Sequence, residues 1–159
     1  QSIFFGGNMK KILFFILAFF AVNAFAGDHD TLDHRVLTFT MVAPPEIVEE
    51  GYQLWMSHAK WMESTHFRSG PNELHYYEVS TTDELTDPLD MNSKKTGNVI
   101  FVLHEVYKNK AGIEDHFART PEFKDWPKLS VWIDKCKSQK IVNGTVFNSL
   151  TWGSGLKGR

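Results

Sequence analysis

Cysteine is almost absent from this chain. Cys136 is the single one among 159 residues, so no disulfide can form within the chain, and its cohesion must come from a packed core. No activating neighbour is recognisable around it, so Cys136 reads as a buried thiol and not as a nucleophile. An excess of charge is lacking too. Lys and Arg number 17 and Asp and Glu 19, a net charge of -2, which leaves no basic face for nucleic acid. Seven histidines are present, yet no two stand four apart, the spacing that sets two imidazoles on one helix face around a metal. The residues therefore call for no metal. Internal repeats and low-complexity tracts are missing as well.

One long apolar run does occur, at the beginning. Residues 1–8, "QSIFFGGN", precede the first methionine and read as an extraneous leader. From Met9 the chain has the three parts of a secretory signal: Lys10 and Lys11, the apolar "ILFFILAFFAV", and the small-residue site Ala24-Phe25-Ala26. Residues 9–26 are thus a predicted signal peptide and Gly27 the predicted mature N-terminus. The apolar core is shorter than the ~20 residues that span a bilayer, and no later stretch is long enough. No cysteine follows the small residues, so no lipid anchor is indicated. The expectation is a bacterial protein exported to the periplasm or secreted, with no membrane attachment after cleavage.

What remains is long enough for one ordinary domain. With 42% hydrophobic and 14% aromatic residues, it is supplied for a core and a pocket. After a polar leader at 27–34, "RVLTFTMVA" alternates as a first strand and stops at Pro44-Pro45. From Pro45 to His66 the pattern is helical: Ile47, Leu54, His58, Trp61 and Thr65 share one stripe, with Trp55, Met62 and His66 beside it. "RSGP" ends the helix. "ELHYYEVS" is a second strand, and the polar segment 81–97 reads as a surface loop. Residues 98–107 are a third strand. Asn109 caps a second helical region that Pro121 and Pro127 must break or kink. "KIVNGTVFNSLTW" is a fourth strand, within which the Asn143-Gly144-Thr145 acceptor pattern is a coincidence. The domain runs over 35–152, and 153–159 form a flexible tail.

The order β-α-β-β-α-β predicts an α+β, ferredoxin-like fold: a four-stranded antiparallel sheet with two helices on one face. The third strand complicates this picture. Val99, Phe101, Leu103, Glu105 and Tyr107 point one way, and Ile100, Val102, His104 and Val106 the other. A strand apolar on both sides needs cover on both. Helices cover one, and a second copy of the sheet covers the other, which predicts a homodimer through sheet faces. Glu105 is then expected under the helices and His104 at the dimer interior.

Two segments carry a family likeness. "NVIFVLHEVYKNKAGIEDHF" is similar to the third strand, turn and helix start of the dimeric α/β-barrel superfamily, and "RSGPNELHYYEVS" resembles the turn and strand after its first helix. Residues 35–152 as a whole resemble the antibiotic biosynthesis monooxygenases and quinol monooxygenase-like proteins, as a distinct exported subgroup. The helix "WMSHAKWMESTH" departs from the pattern in its His and Trp content, and the segment 81–97 is longer than usual. The resemblance implies a dimeric α/β barrel and a monooxygenase-like enzyme that uses no cofactor. In such an enzyme a small aromatic phenol or quinol is deprotonated, and its anion reacts with oxygen. Some relatives bind haem through a His in the second helical region. In "TPEFKDWP", however, Trp126 and Pro127 stand where that His would be.

Such chemistry asks for an apolar slot, a base near neutral pKa and donors for the anion, and histidine suits the base. His58 with Trp61 one turn on, Met62 midway and His66 eight residues on forms one helical stripe. The candidate bases are His58 and His116, with Glu105 orienting a partner and Trp61, Met62, His66 and Tyr77 lining the pocket. Each has a plainer reading: a helix rim packed on the sheet for His58 and His66, a hydrogen-bonded strand end for Glu105. A non-enzymatic ligand-binding or stress-related homodimer of the same fold is the alternative function. The remaining partner expected, besides a second copy of the chain, is a small aromatic ligand.

Overall fold

A computed structural model of the protein describes residues 33–148. The segment 9–26 predicted as a signal peptide, the residues before it and the tail predicted at 153–159 lie outside the described residues. Four strands form one antiparallel sheet: β1 (Arg35–Ala43), β2 (Leu74–Leu85), β3 (Lys95–Tyr107) and β4 (Lys137–Thr145), in the order β2-β3-β1-β4. Three helices connect them: α1 (Val48–Thr65), α2 (Lys110–Arg119) and α3 (Trp126–Lys135). The arrangement is ferredoxin-like, with α2 and α3 as one helical arm interrupted at its prolines. No helix among the described residues is long and apolar enough to cross a membrane.

Local signals explain most boundaries. Pro45 opens a single 3₁₀ turn, Pro45–Ile47, that leads into α1, because a ring-fixed φ suits a first turn and needs no N–H partner there. Asn109 caps α2, its side chain accepting from the backbone N–H of Ala111 and Gly112. Pro121 sits in a second 3₁₀ turn, Thr120–Glu122, and Pro127 in the first turn of α3. The predicted break is thus two short helices separated by a 3₁₀ turn, Thr120–Glu122.

Two expectations about length are corrected. The segment 81–97 is mostly a hairpin: β2 runs on to Leu85 and β3 starts at Lys95, with Thr81 opposite Phe101 and Thr82 opposite Ile100. Threonine-rich pairing and cross-strand polar contacts hold this extension, Lys95 to Asp83 at 2.6 Å and Thr96 Oγ1 donating to Glu84 at 2.7 Å. The fourth strand begins three residues before the predicted Lys140 and ends at Thr145, with a register shift against Val36 and Leu37. Asn143 there has φ 61°, in the left-handed region that interrupts a pleat.

The core lies between the sheet and the helices. Leu37, Met41 and Ala43 of β1 and Phe101, Leu103, Glu105 and Tyr107 of β3 are buried on one face. Leu54, Trp55, His58, Trp61 and Met62 of α1 cover them, with Ile113 of α2 and Leu129, Trp132 and Ile133 of α3. Trp132 is pinned by donating from Nε1 to Ile47 O at 2.8 Å, and its ring packs where α1 has Gly51. A Cβ at Gly51 would stand 2.4 Å from Trp132 Cζ2. The opposite face of the sheet carries Ile100, Val102 and Val106, all half-buried, and His104, whose Nδ1 lies 2.9 Å from Thr38 Oγ1.

Candidate active site

Beneath the helices, three elements and the residue that follows α1 bring ionisable groups together inside an aromatic box. His58 comes from α1, Glu105 from β3, His116 from α2 and His66 from the residue after α1. All four are buried, Glu105 completely. Trp61 packs its ring against His58, His66 and His116, at 5.3, 4.9 and 5.4 Å between centroids. Phe123 stacks on the indole at 5.3 Å and closes the box. These placements follow from helix and strand periods: His58 shares the buried stripe of α1, and Glu105 has the parity of Phe101 and Leu103.

The hydrogen bonds run in a definite direction. Thr65 Oγ1 stands 2.6 Å from Trp61 O, and a carbonyl can only accept, so the hydroxyl proton is committed there. The 3.0 Å contact between Thr65 Oγ1 and His66 Nδ1 must then be donated by the imidazole. Burial, aided by the Arg119 charge, pulls His66 down to about 4, so it is neutral near pH 7 and its Nε2 is an acceptor. His116 Nδ1, 3.0 Å away, donates to it. His116, brought down to about 3 by burial and by His66, is likewise neutral, which leaves its Nε2 as a bare lone pair.

His58 is held separately. Its Nδ1 lies 3.0 Å from the Tyr77 hydroxyl, and burial with the neighbouring His116 lowers it to about 3. Glu105 moves the opposite way, up to about 8 through burial, although a hydrogen bond from Tyr107 opposes the rise. The Tyr107 hydroxyl donates to Glu105 Oε2 at 2.6 Å. Glu105 Oε1 has no partner, and neither have Trp55 Nε1 and Trp61 Nε1, all fully buried. His116 Nδ1 approaches Glu105 Oε2 only to 3.9 Å. With both groups neutral this is not an ion pair, and it is too long for a hydrogen bond.

The space beside the cluster is small. Beside His58 and His116, between Trp55, Phe39 and Leu103, a cavity of about 30 Å³ remains, roughly the share of one water in the liquid. A polycyclic phenol does not fit there. A larger groove of about 230 Å³ opens between α1 and β2, lined by Tyr52, Trp55, Met56, Tyr77, Val79 and Phe101. Tyr77 therefore has its ring in the groove and its hydroxyl on His58.

Of the sequence-predicted residues, His58, His66, Trp61, His116 and Glu105 converge, and Tyr77 joins them through His58. Met62 is buried beside the cluster and, with Tyr77, lines a second cleft of about 380 Å³ between α1 and β2. A histidine base near neutral pKa is corrected: burial holds all three imidazoles well below that range, and the opposing charge of Asp115 on His66 and His116 does not offset it. Two members were missed. Tyr107 is only a strand position in the sequence pattern, although its parity with Glu105 marks it as a neighbour at i+2 on the same face. Phe123 lies between the two prolines, where no period applies. His58, Glu105 and His116 also offer one ligand atom each within 4.8 Å of one another, a grouping no sequence spacing reveals because three elements contribute it.

No protein-family model matches this chain, and no curated protein matches it at a significant level. Among solved structures it is similar to a Deinococcus radiodurans protein provisionally assigned as an antibiotic biosynthesis monooxygenase, at 18% identity. That likeness covers 74% of this chain and 99% of the other, with a TM-score of 0.44.

Proposed function

We propose that this chain is an exported, homodimeric, oxygenase-like enzyme that takes a single-ring phenol or quinol in the groove between α1 and β2. One observation carries the reading: Tyr77 lines the groove with its ring and touches His58 Nδ1 with its hydroxyl, 3.0 Å away. Groove and polar cluster thus meet at one phenol. The groove holds about 230 Å³, below the ~300–1,000 Å³ usual for drug-sized ligands, and it favours one ring over several; the cleft of about 380 Å³ on the other side of Tyr77 is lined by the charged and polar Glu63, Arg68 and His75 and suits an apolar ring less. Tyr52, Trp55 and Phe101 supply apolar walls, and Tyr52 bridges toward β2 with its hydroxyl 3.3 Å from Thr81 Oγ1. The second copy of the chain covers the half-buried valines and Ile100 on the outer sheet face.

Oxygen uptake with single-ring hydroquinones and, separately, with anthrones tests this. Uptake with the single rings, abolished by Tyr77→Phe and by His58→Ala, is the expected result. The cavity of about 30 Å³ favours a second reading, a ligand-binding homodimer without chemistry. Saturable binding of the same quinols, seen as quenching of Trp55, with no oxygen consumed would select it.

A further inference from the structure

The buried cluster has a pattern that a proton-handling site does not need. Each of His58, Glu105 and His116 has one polar atom tied to a neighbour and one without any hydrogen-bond partner. His58 Nδ1 meets Tyr77 and His116 Nδ1 meets His66, while both Nε2 atoms are unpartnered. Glu105 Oε2 accepts from Tyr107 while Oε1 is fully buried and alone. A buried polar atom left unpaired costs about 1–3 kcal/mol, and Glu105 Oε1, fully buried and without a partner, is such an atom beside two imidazoles that each have a nitrogen to spare. The space beside His58 and His116, about 30 Å³, admits an ion or a water and no organic molecule.

We propose that His58, Glu105 and His116 form a binding site for a first-row divalent cation such as Zn²⁺, through one ring nitrogen of each histidine and one oxygen of the carboxylate. Their ligand atoms lie within 4.8 Å of one another. Bonds of about 2.0–2.2 Å to a tetrahedral ion hold such atoms about 3.4 Å apart, so side-chain shifts of about an ångström close the site. Two imidazoles and one carboxylate are the donor set of borderline ions, and three protein ligands leave a position open. The outer partners already have the form that metal-bound residues use. Tyr77 holds one nitrogen of His58 and His66 one of His116, Thr65 holds His66, and Tyr107 holds one oxygen of Glu105, as outer partners do around a bound ion. Burial keeps both imidazoles unprotonated near pH 7, and the ion displaces the proton of Glu105. This site does not depend on the proposed oxygenase activity, and its test reads binding and not turnover.

The test strips the protein with a chelator and titrates it with Co²⁺ and Zn²⁺ at pH 7.5. One equivalent of Co²⁺ giving visible d–d absorption, displaced by one equivalent of Zn²⁺ in calorimetry, is the expected result. His116→Ala and the near-isosteric Glu105→Gln should each weaken Zn²⁺ binding by more than 100-fold. His66→Gln, an outer partner, should weaken it by about 10–100-fold, and His75→Gln on β2 should leave it unchanged. Circular dichroism of each variant separates lost binding from lost folding. Absence of a Co²⁺ band in the wild-type protein overturns the proposal without any variant. So does a band that survives in folded Glu105→Gln and His116→Ala, which would mean a surface site, with water alone in the buried one.

Discussion

Moving the metal-free protein away from pH 6.5 in either direction should destabilise it, because its buried groups resist charging with opposite signs. Glu105 is raised from 4.5 to about 8, so its contribution is complete below pH 4.5 and is lost as pH rises through 8. Each pH unit in that window costs about 1.4 kcal/mol. His58 and His116 are lowered from 6.5 to about 3, so their contributions are complete above pH 6.5 and are lost as pH falls toward 3. Between pH 6.5 and 8 only Glu105 acts, a loss of about 2 kcal/mol. Between pH 6.5 and 4.5 the two imidazoles lose about 3 kcal/mol each while Glu105 restores about the same once, a net loss of about 3 kcal/mol. His66, pulled down to about 4, deepens that acid limb. Against a usual total of ~5–15 kcal/mol these changes are large. Urea unfolding in the presence of a chelator, at intervals from pH 4.5 to 8.5, reads them directly. Glu105→Gln should remove the alkaline limb and steepen the acid one. Stability that stays level across this range, or an alkaline limb that survives Glu105→Gln, would refute the reasoning.

Two further outcomes follow from packing. Gly51→Ala gains about 1 kcal/mol of helix propensity, but its Cβ meets Trp132 at 2.4 Å and the indole is pinned to Ile47. Overpacking of ~1–3 kcal/mol should win, and thermal or urea denaturation should show a net loss; a gain in stability would mean that Trp132 moves freely. Val102→Lys places a charge at the centre of the outer sheet face. Sedimentation should change from dimer to monomer with the fold intact, and a wild-type protein already monomeric would remove the dimer from the account.

Much of the fold was legible because the periods are strong. The alternation of "RVLTFTMVA" bounded β1 to the residue, and the stripe of Leu54, His58 and Trp61 identified the buried face of α1. Parity in β3 put Glu105 with Phe101 and Leu103 under the helices. The hairpin extension was not legible, since "TTDEL" has the composition of a loop and becomes strand only through its partners on β3. The hydrogen bond from His116 to His66 joins residues fifty apart through a turn whose path no local signal sets. The volume under the helices also depends on how Trp55, Trp61 and Phe123 interlock, and with it the depth of the pKa shifts. That is why the histidines are legible as site residues while the depth of their pKa shifts is not.

The claim on which the rest stands is that the buried imidazoles are neutral and ordered in one direction. Nitrogen NMR of ¹⁵N-histidine-labelled, metal-free protein measures this while pH is lowered from about 7.5 to about 5.5. His66 and His116 should both give the signature of a neutral ring protonated at Nδ1, and neither they nor His58 should titrate in that range. Protonation of any of the three above pH 6, or a proton on Nε2 of His116, would contradict the arrangement described.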